Sequence, residues 1–306
     1  MLAGGVGAAK FVRGLVQRIP AQRLTVVVNT GDDEYFYGLH VSPDLDTLSY
    51  TLAGVVNRAT GWGRAKESFH ALEALGRFYG KPWFNLGDRD LATHLYRTDR
   101  LRNGASLAQV TSEIAQRLGI KAKLLPMSND RVYTHVKLKG KPRLPFQEYF
   151  VKRRAHGQIE AIELRGIEQA RPANGVIAAI TGAKAVILAP SNPFVSLGPI
   201  LQLSGVREAL KLVRPRVAAI SPIVGGKSVR GPAGAMMRGL GHEVSPLGVA
   251  RLYQEFTGIF VLDRSDRRYV EAIQQLGMKA VATDAIMSTP TKAARLADVV
   301  LGAIGV

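Results

Sequence analysis

The first 29 residues, MLAGGVGAAKFVRGLVQRIPAQRLTVVVN, decide the fold that we expect for this chain. A short apolar strand over 1–3 leads into a glycine turn at 4–7, and a helix is predicted over 8–18. Residues 23–29 then form a run of mostly β-branched side chains, which is typical of a strand buried on both faces of a parallel sheet. The order strand, glycine turn, helix, strand predicts a βαβ unit at the start of an α/β domain.

The rest of the chain returns to this alternation after a different middle region. Further buried strands are predicted at 185–189, 217–221, 259–262 and 279–282. Short strands separated by turn residues are expected at 122–125, 131–138, 147–151 and 158–164. We therefore predict one α/β domain over 1–306, built on a doubly wound, mostly parallel Rossmann-like sheet. Within it, residues 55–170 are expected to form a helical and β-rich insertion that serves as a lid or subdomain.

The composition excludes several kinds of functional site. The 306 residues include no cysteine, so disulfides, thiolate nucleophiles and cysteine-ligated metal centres are excluded. The six histidines show neither HxxxH nor HxH spacing, which argues against a compact imidazole metal site. No apolar run reaches the roughly 18 residues of a membrane span. No signal-peptide pattern precedes the first motif, so we expect a cytoplasmic protein without a membrane partner.

The net charge of +17 is the unusual feature of the composition, because it indicates attraction to anions. Nucleic acids and phosphorylated metabolites would both fit such a charge. The basic residues are spread along the chain, however, and no RNA-binding motif with interleaved aromatic residues occurs. This pattern favours a basic surface with a phosphate-binding cleft, and we expect small-molecule substrates rather than nucleic acid.

Two motifs stand at the ends of the first two predicted strands. Gly4, Gly5 and Gly7 would let backbone N–H groups approach a phosphate at the start of the helix. The same glycines would also allow close packing of strand and helix. Asn29 and Asp32 follow the second strand, where ligands of open α/β sheets bind. An ordinary turn is the alternative there, since Gly and Asp are common turn residues.

The motif SPDLDT at 42–47 predicts a helix with Ser42 as N-cap and Pro43 in the first position. Asp44 then lies in the first turn, where negative charge is favoured. Asp46 is two positions further on and points to another face of the helix. One acid is sufficient for capping, so the other is a candidate metal ligand or base.

A second polar helix start is predicted in the motif NLGDRDLATH at 85–94. Asp90 and His94 are spaced i, i+4 and share one helical face. Arg89 beside them could clamp a phosphate with two hydrogen bonds, and Asn85 precedes the helix. An exposed, salt-bridged helix start is the alternative interpretation.

Two loops follow later strands and are rich in hydroxyl groups and glycine. Ser191 and Asn192 belong to the first loop, and Ser221 and Gly225 to the second. Because parallel strands end at the same edge of a sheet, these loops and the earlier motifs are expected to line one long cleft. A nucleotide diphosphate would fit it. No Ser-His-Asp, HExxH or kinase signature occurs, so acyl transfer and zinc proteolysis have no support.

Eight motifs in this order resemble the 2-phospho-L-lactate transferase (CofD) family over nearly the whole chain. They are GGVGAAKF, NTGDD, SPDLDT, GWG, NLGDRDLATH, LPMSNDRV, APSNPFVSLGPIL and SPIVGG. The resemblance implies a Mg²⁺-dependent, homodimeric enzyme that transfers a phospho-three-carbon-acid group from a guanosine diphosphate-linked donor to the deazaflavin Fo. The acid would be 2-phospholactate, phosphoenolpyruvate or 3-phosphoglycerate. The products would be GMP and coenzyme F420 without glutamates, or its dehydro form.

The resemblance also implies roles for particular residues. The catalytic residues would be Asp46, Asp44 and Arg89, with Asp46 or Asp44 holding the magnesium ion. The Fo site would be lined by Asp46, Asn85, Arg89 and His94. The nucleotide site would comprise Gly4, Gly5, Gly7, Asn29, Asp32, Ser191, Asn192, Ser221 and Gly225. The alternative is a non-catalytic, nucleotide-sugar-binding regulator of related fold, in which the SPDLDT and GDRDLATH blocks are replaced.

Overall fold

A computed structural model describes all residues from 1 to 306 and contains fourteen strands and twelve α-helices. The strands are β1 Leu2–Ala3, β2 Thr25–Val28, β3 Glu34–Phe36, β4 Leu39–Val41, β5 Lys123–Pro126, β6 Tyr133–Leu138, β7 Arg143–Pro145, β8 Ile159–Arg165, β9 Val186–Leu188, β10 Val217–Ile220, β11 Ile223–Val224, β12 Lys227–Ser228, β13 Ile259–Asp263 and β14 Lys279–Thr283. The helices are α1 Gly5–Leu15, α2 Pro43–Leu52, α3 His70–Tyr79, α4 Asp88–Arg102, α5 Leu107–Arg117, α6 Val176–Thr181, α7 Gly198–Gln202, α8 Val206–Leu212, α9 Ala233–Gly239, α10 Pro246–Tyr253, α11 Val270–Gln275 and α12 Pro290–Ile304.

Seven strands form one central sheet in the order β14-β13-β10-β9-β1-β2-β5, and every neighbouring pair is parallel. The chain starts in the middle, runs outward through β2 and β5, and then crosses back to β9. The order therefore reverses between β1 and β9, which is the switch point where open α/β sheets bind ligands. This topology confirms the predicted doubly wound, Rossmann-like sheet.

The two faces of the sheet bury separate hydrophobic clusters because successive strand residues point to opposite sides. In β2, Val27 belongs to a cluster of 34 residues, whereas Val26 and Val28 belong to a cluster of 25 on the other face. Helices α1, α5 and α12 contribute to the smaller cluster, and α6, α8 and α10 to the larger. Both faces are covered, which explains the continuous apolar runs in the sequence.

The segment predicted as an insertion, 55–170, contains one strand of the central sheet. Strand β5 pairs in parallel with β2 at the edge of the sheet. It divides the segment into a part before it and a part after it in the chain. Before it come α3, α4 and α5. After it, β7-β6-β8 form a small antiparallel sheet, whose buried face carries Val136, Leu144 and Ile159.

Two local predictions were wrong. Helix α1 begins at Gly5, inside the predicted glycine turn. Residues 147–151 are not a strand: Glu148–Lys152 form a π-helical turn, because Phe146 and Tyr149 are both buried at helical spacing. The strand lies earlier, at β7. The polar segment 30–40 contains the hairpin β3–β4, whose turn places Tyr37 and Gly38 at positive φ. None of the helices combines the length and hydropathy that crossing a membrane requires.

Candidate functional site

A cleft of about 520 Å³ opens beyond the carboxyl ends of β1, β9 and β10. Its walls come from the loops after these strands, from α2 and α4, and from aromatic residues of the middle region. The predicted site residues that line it are Gly4, Gly5, Gly7, Asp32, Asp44, Asp46, Asn85, His94, Ser191, Asn192 and Ser221. The fold therefore brings most of the motifs singled out in the sequence to one place.

The glycine turn has several structural roles. Gly5 has φ +73°, and its N–H donates to Asp44 Oδ1 at 2.7 Å. A Cβ on Gly7 would collide with the carbonyl oxygen of Pro190, so close packing alone requires glycine there. Val6 and Gly7 also line the cleft in the first turn of α1, where backbone N–H groups have no helical acceptor. This turn can still offer those two donors to an anion.

Three carboxylates lie near this turn: Asp32, Asp33 and Asp44, which we call the turn cluster. Asn29 Nδ2 donates to Asp32 Oδ1 and to Asp44 Oδ2, both at 2.9 Å. Gln147 donates to Asp32, and Ser42 donates to Asp33. Asn29 is itself fully buried and does not line the cleft, so its role is to hold two carboxylates side by side.

No lysine or arginine contacts the turn cluster. Burial, together with the neighbouring carboxylates, raises the pKa of Asp32 well above its usual value. Burial likewise raises the pKa of Asp33, and raises that of Asp44 to about 6. His40 lies 3.6 Å from Asp33, but burial lowers the pKa of His40 to about 3, so the imidazole is neutral. Burial thus disfavours the charged form of these carboxylates, and a bound cation would offset that free-energy cost.

A second group, the helix cluster, joins α2 to α4: Asp46 and Tyr50 from α2, and Asp90, His94 and Arg97 from α4. Both guanidinium Nη atoms of Arg97 donate to Asp46, one to each carboxylate oxygen. Tyr50 Oη donates to Asp90 Oδ1 at 2.6 Å. The spacing of the three α4 residues, i, i+4 and i+7, places them on one face of the helix.

The contacts of Arg97 also determine the tautomer of His94. Arg97 Nη1 lies 3.2 Å from His94 Nδ1, and a guanidinium can only donate, so Nδ1 accepts. A ring with a single proton would therefore carry it on Nε2, which lies 3.3 Å from Asp90 Oδ1 without forming a hydrogen bond. Burial opposes ionisation of Asp90, yet its contacts with His94 and Tyr50 outweigh burial and lower its pKa. Burial, with Asp46 and Asp90 nearby, raises the pKa of Tyr50, which stays protonated.

Asp46, Asp90 and His94 have potential ligand atoms within 4.8 Å of one another. Arg97, however, already neutralises Asp46 and touches His94. A metal ion would have to sit beside this buried guanidinium, which like-charge repulsion opposes. The turn cluster, with oxygen ligands and no cation of its own, fits a hard divalent ion better.

The N-termini of α4 and α3 are capped reciprocally by two carboxylates, one beside each helix start. Glu67 accepts hydrogen bonds from the backbone N–H groups of Arg89 and Asp90, both at 2.8 Å. Asp88 in turn accepts from the N–H groups of His70 and Ala71 at the start of α3. Each carboxylate satisfies the free donors of the other helix and faces its positive end.

Several predicted site residues have structural roles or lie elsewhere. Arg89 is exposed and does not line the cleft, so the structure does not place it as a phosphate clamp. Gly225 also lies outside the lining, and its N–H donates to Asp266. The hydroxyls of Ser191 and Ser221 donate to the carbonyls of Gly4 and Ile223, and therefore shape the loops.

Sequence reasoning missed three cations of the site. Arg97 is the first of them, and its i+3 spacing from His94 is the signal that could have identified it. Lys10, in α1, and Arg230, in the loop after β12, both line the cleft. Arg230 donates to the carbonyl of Thr60 and so ties the GWG loop to this side of the cleft. No local pattern connects Lys10 with Arg230.

The fold is an open parallel sheet, and an acidic cleft and the start of α1 lie at the switch point of that sheet. These features define the class of the protein: an α/β protein that binds its ligand beyond the strand ends. The comparisons with known proteins specify the family. The model of the family described as "2-phospho-L-lactate transferase CofD" matches residues 1–300. The chain belongs to this family, and is therefore a transferase enzyme of coenzyme F420 biosynthesis.

Curated relatives match at full length. A 2-phospho-L-lactate transferase of Methanosarcina acetivorans is 40% identical over 99% of this chain and 97% of its own length. A phosphoenolpyruvate transferase of Streptomyces griseus is 43% identical over 97% of this chain and 95% of its own. Among solved structures, a Bacillus halodurans protein of the UPF0052 family superposes with a TM-score of 0.67 at 15% identity, covering 98% of this chain and 97% of that one. This last likeness shows the fold alone.

Proposed function

We propose that the enzyme transfers a phospho-three-carbon-acid group from its guanosine diphosphate-linked donor to the ribityl hydroxyl of Fo. GMP would be released, and coenzyme F420 without glutamates, or its dehydro form, would be the product. The observation that carries the proposal is the composition of this cleft. It combines a helix start, buried carboxylates without a cation and a set of aromatic side chains.

The anionic donor is supported by the groups around the start of α1. Lys10 and Arg230 line the cleft, and neither forms an ion pair with a carboxylate. Burial, with Arg230 and Arg13 nearby, lowers the pKa of Lys10, which shows how closely these positive charges are placed. Together with the N–H groups of Val6 and Gly7, they would attract and hold a diphosphate or carboxylate.

Magnesium is the cation that we propose for the turn cluster. Asp44 and Asp32 both line the cleft, are 6% and 8% exposed, and are joined by the amide of Asn29. Mg²⁺ typically binds one or two carboxylates together with substrate phosphates and water, so this donor set fits. When bound, the ion would neutralise charge on the transferred phosphoryl group. Asp46, paired with Arg97, is not part of this proposed site.

The acceptor is supported by the aromatic lining. Trp62, Trp83, Phe84 and Phe150 all line the cleft, and the two tryptophans are partly exposed. Flat aromatic faces of this kind suit the ring system of a deazaflavin. Asn85 follows Phe84 directly and would offer its amide to polar edges of that ring. The hydroxyl of the acceptor would then have to reach the carboxylates of α2 and α4.

The proposal is tested by product formation. The purified enzyme is incubated with Fo, Mg²⁺ and a guanosine diphosphate-linked donor carrying phospholactate, phosphoenolpyruvate or phosphoglycerate, and the product is weighed by mass spectrometry. We expect GMP and one F420 species with one of these donors. Relatives named for the first two acids match similarly well, at 40% and 43% identity, so the product mass identifies the acid.

Fluorescence titration with Fo tests the alternative, a nucleotide-sugar-binding regulator. Binding of a nucleotide with neither Fo binding nor any product would support that regulator and contradict the proposal. A homodimer in the cytoplasm remains our expectation for the enzyme, and light scattering of the same sample measures the oligomeric state.

A further inference from the structure

We propose that Asp90 is a catalytic residue, and that its carboxylate accepts the proton of the attacking acceptor hydroxyl. The inference rests on the proposed function, because it concerns the hydroxyl that attacks the donor. In that particular role it replaces Asp44 and Asp46, the acids of the SPDLDT motif. The carboxylates of the cleft differ in how many of their oxygens already accept a hydrogen bond.

Asp46 is already paired with a cation through both of its carboxylate oxygens. Its Oδ1 and Oδ2 each accept a hydrogen bond from Arg97, and its side chain is 7% exposed. Arg97 is itself buried, so removing Asp46 from it would leave an unpaired charge inside the protein. Asp46 therefore anchors α4 to α2, and its negative charge is already neutralised.

Asp44 is committed in a similar way, although its partners are neutral. Its Oδ1 accepts from Gly5 N–H and its Oδ2 from Asn29. Among the turn carboxylates, Asp32 also has both oxygens occupied, by Asn29 and Gln147. These groups are placed to share their negative charge with a cation beside the glycine turn.

Asp90 differs because its contacts converge on one oxygen. Tyr50 Oη donates to Oδ1, and His94 Nε2 lies near the same atom. Oδ2 makes no hydrogen bond within the protein. It is also not buried, so it is accessible to a ligand. The side chain is 13% exposed and lines the cleft. Asp90 thus offers one free, accessible oxygen to a substrate.

The free oxygen is also held in a defined direction. The Tyr50 hydroxyl fixes Oδ1 through its hydrogen bond, while Glu67 accepts from the backbone N–H of Asp90 at 2.8 Å. His94 Nε2 lies 3.3 Å from Oδ1 without forming a hydrogen bond. Tyr50 is therefore a positioning residue, and such fixed orientation is what phosphoryl transfer chiefly requires of a protein.

The chemical step balances without any further reactant. The acceptor's hydroxyl oxygen forms a bond to the phosphorus distal to guanosine. The bond between that phosphorus and the bridging oxygen breaks, and the electron pair leaves with GMP. The hydroxyl proton passes to Asp90 Oδ2, and no group is oxidised or reduced.

The test compares two isosteric substitutions on the same helix. D90N removes the negative charge of the carboxylate that would take the proton. It is expected to lower kcat about 100-fold or more, with little change in the KM for Fo. Asp99 is exposed and bonded to Asn103, so D99N should keep wild-type kinetics. A D90N enzyme with the wild-type kcat would overturn the inference. Absence of product from the wild-type enzyme with every donor would instead contradict the proposed function.

A pH profile separates catalysis from mere support of the fold. In wild-type enzyme, kcat should fall at low pH as Asp90 becomes protonated, whereas the residual activity of D90N should lack this acid limb. If D90N does not fold by circular dichroism, Y50F provides the second variant. It keeps the carboxylate but releases Oδ1, and kcat should fall about tenfold, the equivalent of one hydrogen bond. An unchanged kcat in Y50F, or a normal acid limb in folded D90N, would refute the role of Asp90.

Discussion

The turn cluster and the helix cluster are two groups of buried carboxylates that border the same cleft. They differ in the groups that stabilise their buried negative charge. In the helix cluster, Arg97 supplies an internal cation and Tyr50 donates a hydrogen bond to Asp90. In the turn cluster, the donors are neutral amides, hydroxyls and a backbone N–H. One cluster is complete within the chain, whereas the other is suited to a cation from outside.

The pKa values follow the same division. Burial raises the pKa of Asp32, Asp33 and Asp44, while contacts with His94 and Tyr50 lower that of Asp90 despite its burial. A buried charge that is paired stabilises its surroundings only as long as both partners are present. A buried charge without a partner costs stability until a ligand compensates it. Substitutions in the two clusters should therefore have opposite effects on the protein without ligands.

The largest effect is expected from breaking the internal ion pair. Arg97→Met leaves Asp46 charged and buried, so the free energy of unfolding should fall by about 4 kcal/mol. Urea denaturation at pH 7 measures this change. The matched control is Arg100→Met on the same helix, which removes an exposed pair with Glu113 and should leave the midpoint nearly unchanged. Equal losses in both variants would contradict the internal role of Arg97.

Removing a carboxylate from the turn cluster should do the reverse. Burial raises the pKa of Asp44 to about 6 in the folded chain, against an ordinary value of 3.8, so the folded state binds more protons between these values. Wild-type stability should therefore decrease as pH rises from 4 to 6, and stay lower above 6. Asp44→Asn abolishes this loss and should be more stable than wild type at pH 8 by roughly 3 kcal/mol.

The comparison is made by urea denaturation at pH 4 and pH 8 in EDTA. The difference between Asp44→Asn and wild type should be small at pH 4 and large at pH 8. Asp99→Asn serves as the control for an exposed aspartate, and its difference from wild type should not depend on pH. A pH-independent difference for Asp44→Asn would show that its carboxylate is not destabilising.

The smallest effect is the response to magnesium. If the turn cluster holds the ion, Mg²⁺ at tenfold excess over its Kd should raise the free energy of unfolding by about 1.4 kcal/mol. Asp44→Asn should lose this response, and Asp90→Asn should keep it, because Asp90 belongs to the other cluster. Thermal melts with and without Mg²⁺ measure the shift. Loss of the response in Asp90→Asn alone would place the ion in the helix cluster.

The sequence by itself determined the α/β fold and most of the cleft. Strands buried on both faces are continuous apolar runs, and glycine or polar loops at their ends mark the ligand edge, so local pattern is sufficient for both. The i, i+4 spacing likewise predicted that Asp90 and His94 share one face of α4. Short elements were less predictable, as the helical turn at Glu148–Lys152 shows, because tertiary burial of Phe146 and Tyr149 decided its conformation.

Only the tertiary structure decided which carboxylates are neutralised. Asp44 and Asp46 are two residues apart and chemically identical in the sequence. Asp46 meets Arg97, 51 residues later in the chain, whereas Asp44 meets only Gly5 and Asn29. Which partner each receives depends on the packing of α4 against α2 and on the start of α1. Charge pairing acts over a few ångströms of space, and sequence separation carries no information about that distance.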